Sequence, residues 1–316
     1  MVSVIIPCFN SQAYLRAAIN SALSQSYALT DVIVIDDGST DSSLDIIRSF
    51  GRHIRWESGS NCGAPAARNR GLELAQGEFV KFLDADDKLL PDCLERQVAQ
   101  ALELPKDRKA IVYGDALWID DQGQPLPGYT HRPRRAGEES IAHILAHSPL
   151  TSCPLHRRTY LLEIGGFDPL IPKGQEHDLH LRLALAGVEF VYRPGPVYYY
   201  REYSDPQRIS NHQLSRKNPL IHFEILQKQC HLIETNSGEP LSPAVRRVLA
   251  QRFWAYGRGI LREGYKTEAQ PYFEAARQLD DKHCITGNRP YPILVKLFGP
   301  LHAEMLTAKL RYLLTS

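Results

Sequence analysis

The sequence predicts an α/β fold: a mostly parallel, doubly wound sheet flanked by helices, followed by an α-helical C-terminal extension. Three observations carry this. Short β-branched runs alternate with amphipathic segments through the first hundred residues, Asp-rich loops follow two of those runs, and strand signals stop after Ser210, where long helical periodicities begin. In such a sheet the loops leaving the C-terminal ends of the strands share one crevice, and ligands bind there.

The first run is Val2-Ser3-Val4-Ile5-Ile6, ended by Pro7, and the amphipathic stretch Ala13 to Ser24 follows it. The second is Asp31 to Ile35, ended by Asp36-Asp37-Gly38-Ser39 and followed by a helical pattern from Asp41 to Phe50. The third is Phe79-Val80-Lys81-Phe82-Leu83, with Asp84-Ala85-Asp86-Asp87 directly after it and a helix opening at Pro91-Asp92-Cys93-Leu94. The loops after Ile6, Ile35 and Leu83 therefore bring Asn10, Asp36, Asp37, Asp84, Asp86 and Asp87 toward one crevice. Three carboxylates in four positions repel one another unless a cation or a proton compensates. Oxygen-only ligands favour magnesium or manganese over zinc, and such ions bind substrate phosphates. The competing reading is a helix cap with spare surface acids.

Composition bounds the rest. With 316 residues, 43% of them hydrophobic, the chain can build a full core and a second, smaller unit. Six cysteines without a CxxC pair point to a reducing cytoplasm rather than a disulfide framework. No basic region precedes the first apolar run, so no secretory leader is expected, and no segment approaches about 20 apolar residues. Arg132, Arg134 and Arg135 form the one dense basic cluster, with no aromatic platform beside it, which argues against nucleic acid.

The net charge of +1 hides an asymmetry: from Gln213 onward there are 15 Lys and Arg against 9 Asp and Glu, and before it 22 against 27. The tail, at +6, is basic, and the rest, at −5, is acidic. Helical patterns cover about 214 to 235, 243 to 263, 266 to 279 and 291 to 314, and Trp254 through Ala276 resembles a single tetratricopeptide-type hairpin. The last segment, Tyr291 to Leu314, is expected either to lie peripherally on an anionic membrane surface or to dock on the protein itself or on a second copy in a homodimer.

Pro7-Cys8-Phe9-Asn10, Val34-Ile35-Asp36-Asp37-Gly38-Ser39-Thr40-Asp41, Gly63-Ala64-Pro65-Ala66-Ala67-Arg68-Asn69-Arg70-Gly71, and Gly77-Glu78-Phe79 leading into Asp84-Ala85-Asp86-Asp87 together resemble the inverting nucleotide-sugar glycosyltransferases of family 2. The resemblance runs to about Ser210. It implies the GT-A fold, a Rossmann-like sheet; a nucleoside-diphosphate-sugar donor; a manganese or magnesium ion; and a sugar transferred with inversion to a hydroxyl of a growing glycan or a lipid-linked acceptor. It also implies a catalytic domain over residues 1–212, with a nucleotide-binding half (1–114) and an acceptor-binding half (115–212), and a helical region over 213–316.

Residue roles follow. A uracil ring presents one N–H between two carbonyls, so the carboxylate of Asp37 suits that edge. The family pattern places Pro7, Phe9 and Asn10 beside the nucleoside, with Gly63, Ala64 and Arg68 nearby, Asp84 and Ala85 at the ribose, and Asp86, with Asp84, on the metal. Asp36 is expected to shape its loop, and Asn69 and Gly71 to serve packing. An acceptor alcohol needs a general base, and Gln175-Glu176-His177-Asp178-Leu179-His180-Leu181-Arg182 supplies candidates. Aligned with the family, Glu176 takes the base position and Asp178 the second acid, on a helix expected from Asp178 to Ala186. His177 and His180 are expected to be packing or solvated histidines. His212 falls where the family closes a loop over the donor and joins the metal set, and Arg201 or Arg208 is expected to meet the diphosphate. The alternative is a binding or scaffold protein that kept the fold without turnover. A nucleotidyltransferase would need a Gly-rich loop with Arg and Lys after the first strand, which is absent.

Overall fold

The structure, a computed structural model, describes residues 1–204 and 218–315, with side chains to residue 308. The chain divides into two compact units, Met1–Asp205 and Pro206–Ser316. The expected boundary at residue 212, with His212 and Arg208, lies outside the described residues.

In the first unit the expected alternation builds β1 (Val2–Cys8), α1 (Leu15–Leu23), β2 (Thr30–Asp36), α2 (Ser43–Ser49), β3 (Arg55–Ser58), α3 (Ala64–Leu74) and β4 (Phe79–Phe82). β5 (Lys88–Leu89), α4 (Cys93–Leu102), β6 (Ala110–Ile119), α5 (Ser140–His147), β7 (Pro154–Arg157), α6 (Arg158–Glu163), α7 (Gln175–Leu185) and β8 (Glu189–Arg201) complete it. Every residue of β1 is buried, as a central strand covered on both faces requires. Pro7 does not end β1 but pairs with Ile35. It is tolerated because β4, the neighbour on the other side, stops at Phe82 opposite Ile5, so no ladder bond is demanded from its missing N–H.

The eight strands run in the order β3-β2-β1-β4-β7-β6-β8-β5. The sheet is mixed: β1 to β2, β4 and β2 to β3 are parallel, as is β6 to β8, whereas β7 lies antiparallel between β4 and β6, and β5 antiparallel on β8. The antiparallel strands were not legible as alternating runs, being two to four residues long. Residues 114 and 115 fall inside β6 at a bulge, so the expected boundary between halves is an irregularity within one continuous strand. Glycine at 71 lets α3 lie against β1, since a Cβ there would run into the Cγ2 of Ile5.

Lys81, in the middle of β4, is fully buried, and its Nζ donates to Oε1 of Gln97 (2.7 Å) and to the Cys153 carbonyl (3.2 Å). Burial pulls its pKa down. His156 and His180 are also core residues, with stacked rings 5.8 Å apart. Burial lowers His156 to about 3 and holds His180 well below its ordinary value. A histidine with a depressed folded pKa binds its proton only on unfolding, so its contribution is complete above about pH 6.5, the unfolded value, and is lost as pH falls. Each such histidine is expected to cost up to about 1.4 kcal/mol per pH unit below that point. Urea midpoints at pH 7.5 and 5.0 test this: the midpoint should fall on acidification, and less so in His156→Phe. An unchanged midpoint in the parent chain would refute it.

The second unit is helical, as expected: α8 (Ile221–Ser237), α9 (Pro243–Arg262), α10 (Lys266–Asp280) and α11 (Tyr291–Thr315). Helices α9 and α10 form the hairpin, with Trp254 on Phe273 (4.8 Å) and Gly257 giving Tyr272 and Phe273 room to approach. Helix α11 is broken at Gly299, before Pro300. One face of it is structural, with Tyr291, Val295 and Ala303 buried and Glu304 paired to Arg258 and Arg262, while Ile293, Leu297, Phe298 and Met305 are exposed. Among the described residues no helix is long and apolar enough to cross a membrane.

Candidate active site

The loops after β1 and β2 are fastened to each other. Asn10 has a positive φ of 47°, which puts its Oδ1 in place to accept from the Thr40 amide (2.8 Å), while its own N–H donates to Ser39 Oγ (3.0 Å). Phe9 beside it is exposed and Pro7 buried. Asp36 is buried and accepts from Ser58 Oγ (2.6 Å) and the Ser39 amide (3.2 Å), so it shapes the loop. Asp37 is 6% exposed, and its two oxygens accept from the backbone N–H groups of Cys62 (2.7 Å) and Gly63 (2.8 Å). Each oxygen keeps a second lone pair. Gly63, at φ 90°, caps α3, which opens with Ala64. Burial would raise the Asp41 carboxyl, but hydrogen bonds from Ser43 and the Gln12 backbone hold it below its ordinary value.

The acid loop turns tightly after β4. The Asp87 amide donates to the Asp84 carbonyl (3.0 Å), Ala85 is buried, and Asp86 is partly exposed. Asp87 is 2% exposed and its Oδ1 accepts from the Arg201 amide (2.8 Å). The Arg201 guanidinium donates to the carbonyls of Asp86, Asp120 and Asp121. This revises the expectation that Arg201 meets the diphosphate: it is a buried clamp that sets the acid loop.

Helix α7 starts at Gln175, three residues earlier than expected, because Gly174 takes a left-handed conformation (φ 69°) as its cap. Glu176 and Asp178 both fall in the first turn, where carboxylates suit the helix dipole. They differ in surroundings. The Asp178 side chain is 4% exposed and accepts from Arg182 Nε (2.8 Å), and Arg182 also holds the Ile164 carbonyl (2.9 Å). Glu176 is 22% exposed, its carboxylate 3.7 Å from His177 Nε2. Asp178 is thus paired within its helix, and Glu176 is the more exposed of the two acids.

Arg68 joins the two regions. It is buried, its Nη2 donates to Asp84 Oδ1 (2.6 Å) and its Nη1 to Oε1 of Gln175 (2.7 Å), with the guanidinium near the Phe167 ring. One side chain therefore brings the acid loop and the first turn of α7 together.

Residues 3–159 match the family model described as glycosyl transferase family 2. Over 229 residues the chain is 30% identical to an uncharacterized glycosyltransferase of Rickettsia conorii, covering 69% of this chain and 35% of that protein, so it spans about a third of that relative's length. Over 233 residues it is also 30% identical to one from Rickettsia typhi, covering 72% of this chain and 70% of the relative. The chain belongs to glycosyltransferase family 2. A crystal structure of S. aureus TarS 1–349 in complex with UDP-GlcNAc shares the GT-A fold, at a TM-score of 0.71 and 19% identity over 98% of this chain and 91% of that one.

Within this family 2 chain, Arg68 is expected beside the nucleoside, and its partner Gln175 is not among the expected site residues. The signal for Gln175 was its place as first residue of the Gln-Glu-x-Asp-Leu pattern. Ser152, whose Oγ accepts from the Asp84 amide (3.4 Å), and Asn69, which exchanges two hydrogen bonds with the Phe167 backbone, carry no spacing signal.

Proposed function

We propose that this chain is an inverting glycosyltransferase that moves a sugar from a nucleotide-sugar donor, uridine diphosphate-linked, to a hydroxyl of a glycan or lipid-linked acceptor. The observation that carries the reading is the Arg68 bridge, because it puts Asp84, and with it the acid loop suited to a metal-bound diphosphate, beside the turn that bears Glu176. Asp37 reads the uracil N–H through the lone pairs its backbone partners leave. Pro7, Phe9 and Asn10 flank the nucleoside, with Gly63 and Ala64 behind it and Asp84 and Ala85 toward the ribose.

The oxygen donors of Asp84 and Asp86 fit manganese or magnesium, and such an ion, when bound, neutralises charge on the departing diphosphate. Glu176 accepts the proton of the acceptor hydroxyl as that oxygen bonds to the anomeric carbon. Asp178 holds Arg182 and fixes the turn that presents Glu176.

Thermal unfolding with nucleotides tests the reading. Uridine diphosphate with manganese should stabilise the chain, by about 2.7 kcal/mol at a hundredfold excess over its dissociation constant, and should do so far less in chelator. An equal effect in chelator would remove the metal, and a preference for guanosine diphosphate would remove the role of Asp37. Contact with an anionic membrane surface is part of the proposal, supported by the +6 tail and the exposed Leu297 and Phe298 of α11. The full chain should sediment with anionic vesicles at low salt and release at high salt; no binding at low salt disposes of it.

A further inference from the structure

Outside the acid loop and α7, Glu138, His143 and His147 form a second cluster. His143 and His147 stand four residues apart on α5, so they share a face, with ring centroids 5.2 Å apart. Glu138 lies two residues before the helix and puts Oε1 3.3 Å from His143 Nδ1. One ligand atom from each of the three lies within 4.8 Å of the other two.

His143 is the observation that demands an explanation. Its side chain is 1% exposed, Nδ1 is met by Glu138 Oε1 at 3.3 Å, and Nε2 has no hydrogen-bond partner among the described residues. A buried polar group left so costs roughly 1–3 kcal/mol, and a bound ion is one of the things that satisfies such a group. The carboxylate of Glu138 is half used. Oε2 accepts from Arg132 Nη1 (2.7 Å) and the Arg135 amide (2.9 Å), which fills its two lone pairs, whereas Oε1 accepts from Arg132 Nη2 (2.5 Å) and turns its other lone pair toward His143 Nδ1 (3.3 Å). The remaining site is on the oxygen nearest His143.

We propose that Glu138, His143 and His147 bind a divalent transition metal, zinc foremost, at a site separate from the diphosphate-binding acids. Two imidazoles and a carboxylate are a three-ligand zinc set that leaves a fourth position for water. Nitrogen ligands select zinc over magnesium. Metal–ligand distances of about 2.0–2.2 Å place tetrahedral donors roughly 3.4 Å apart, so the cluster tightens on the ion, and half-buried His147 is the ligand free to move. Arg132 and the Arg135 amide orient the carboxylate from outside the metal. The ion fastens the long segment between β6 and α5 onto α5.

The test titrates the chelator-treated full chain with cobalt(II) in excess magnesium, which keeps Asp84 and Asp86 occupied. A visible absorption band should saturate at one equivalent and disappear on adding zinc. His147→Ala should weaken zinc binding at least about 100-fold and Glu138→Gln about 10–100-fold, each with an unchanged far-ultraviolet spectrum, while Asp86→Ala keeps the band. The proposal is overturned if the parent chain gives no band, if the band persists in both His147→Ala and Glu138→Gln, or if Asp86→Ala abolishes it.

Discussion

Glu176→Gln is expected to bind uridine diphosphate and manganese as the parent does and to transfer sugar about 10²–10⁴-fold more slowly, the range for loss of a general base. The amide keeps the size and hydrogen-bonding reach of the carboxylate and loses only its ability to take a proton, so the deficit belongs to kcat rather than to donor affinity. Asp178→Asn is the contrast. Asp178 is buried on Arg182, and weakening that pair should lower the melting temperature before it touches chemistry. If Glu176→Gln retains full transfer and Asp178→Asn loses it without loss of stability, the base is Asp178.

Asp86→Ala is expected to abolish the metal-dependent part of nucleotide stabilisation and to lower transfer by about 10³-fold, the equivalent of roughly 4 kcal/mol of lost charge stabilisation. The Asp86 carbonyl that accepts from Arg201 Nε is retained in this variant. Asp87 offers the internal comparison: it is 2% exposed and holds the Arg201 amide, so its alanine variant should unfold at lower temperature with or without manganese. Equal metal-dependent stabilisation in Asp86→Ala and the parent would move the ion elsewhere.

The parts of this site that sequence made legible are local. A β-branched run followed by clustered acids marks a strand end, and the loops after β1, β2 and β4 fall on one edge because parallel strands share a direction. Pairings across long stretches of chain are another matter. Arg68 meets Gln175 over 107 residues and Arg201 meets Asp87 over 114. No spacing rule encodes either, so the sequence offers Arg201 beside Arg208 as a diphosphate contact, whereas burial makes Arg201 a clamp. The α7 boundary differs from the expected one for a local reason: the left-handed Gly174 starts the helix ahead of its apolar periodicity. The antiparallel β7 escaped because four residues between helices hold too few alternations to register.

Gly71 sits one turn beyond Arg68 on α3, and the gap it leaves between that helix and β1 acts as a gauge for the reach of the arginine. In a library scored for transfer, position 71 is expected to look like a ligand-binding position: an alanine Cβ would meet Ile5, and any shift of α3 that relieves the clash would carry Arg68 away from Asp84 and Gln175 together. Gly59, with open space around its missing side chain, would accept most residues in the same library. The tolerance of this chain to drift is therefore set less by distance from the chemistry than by which backbones must touch to hold it.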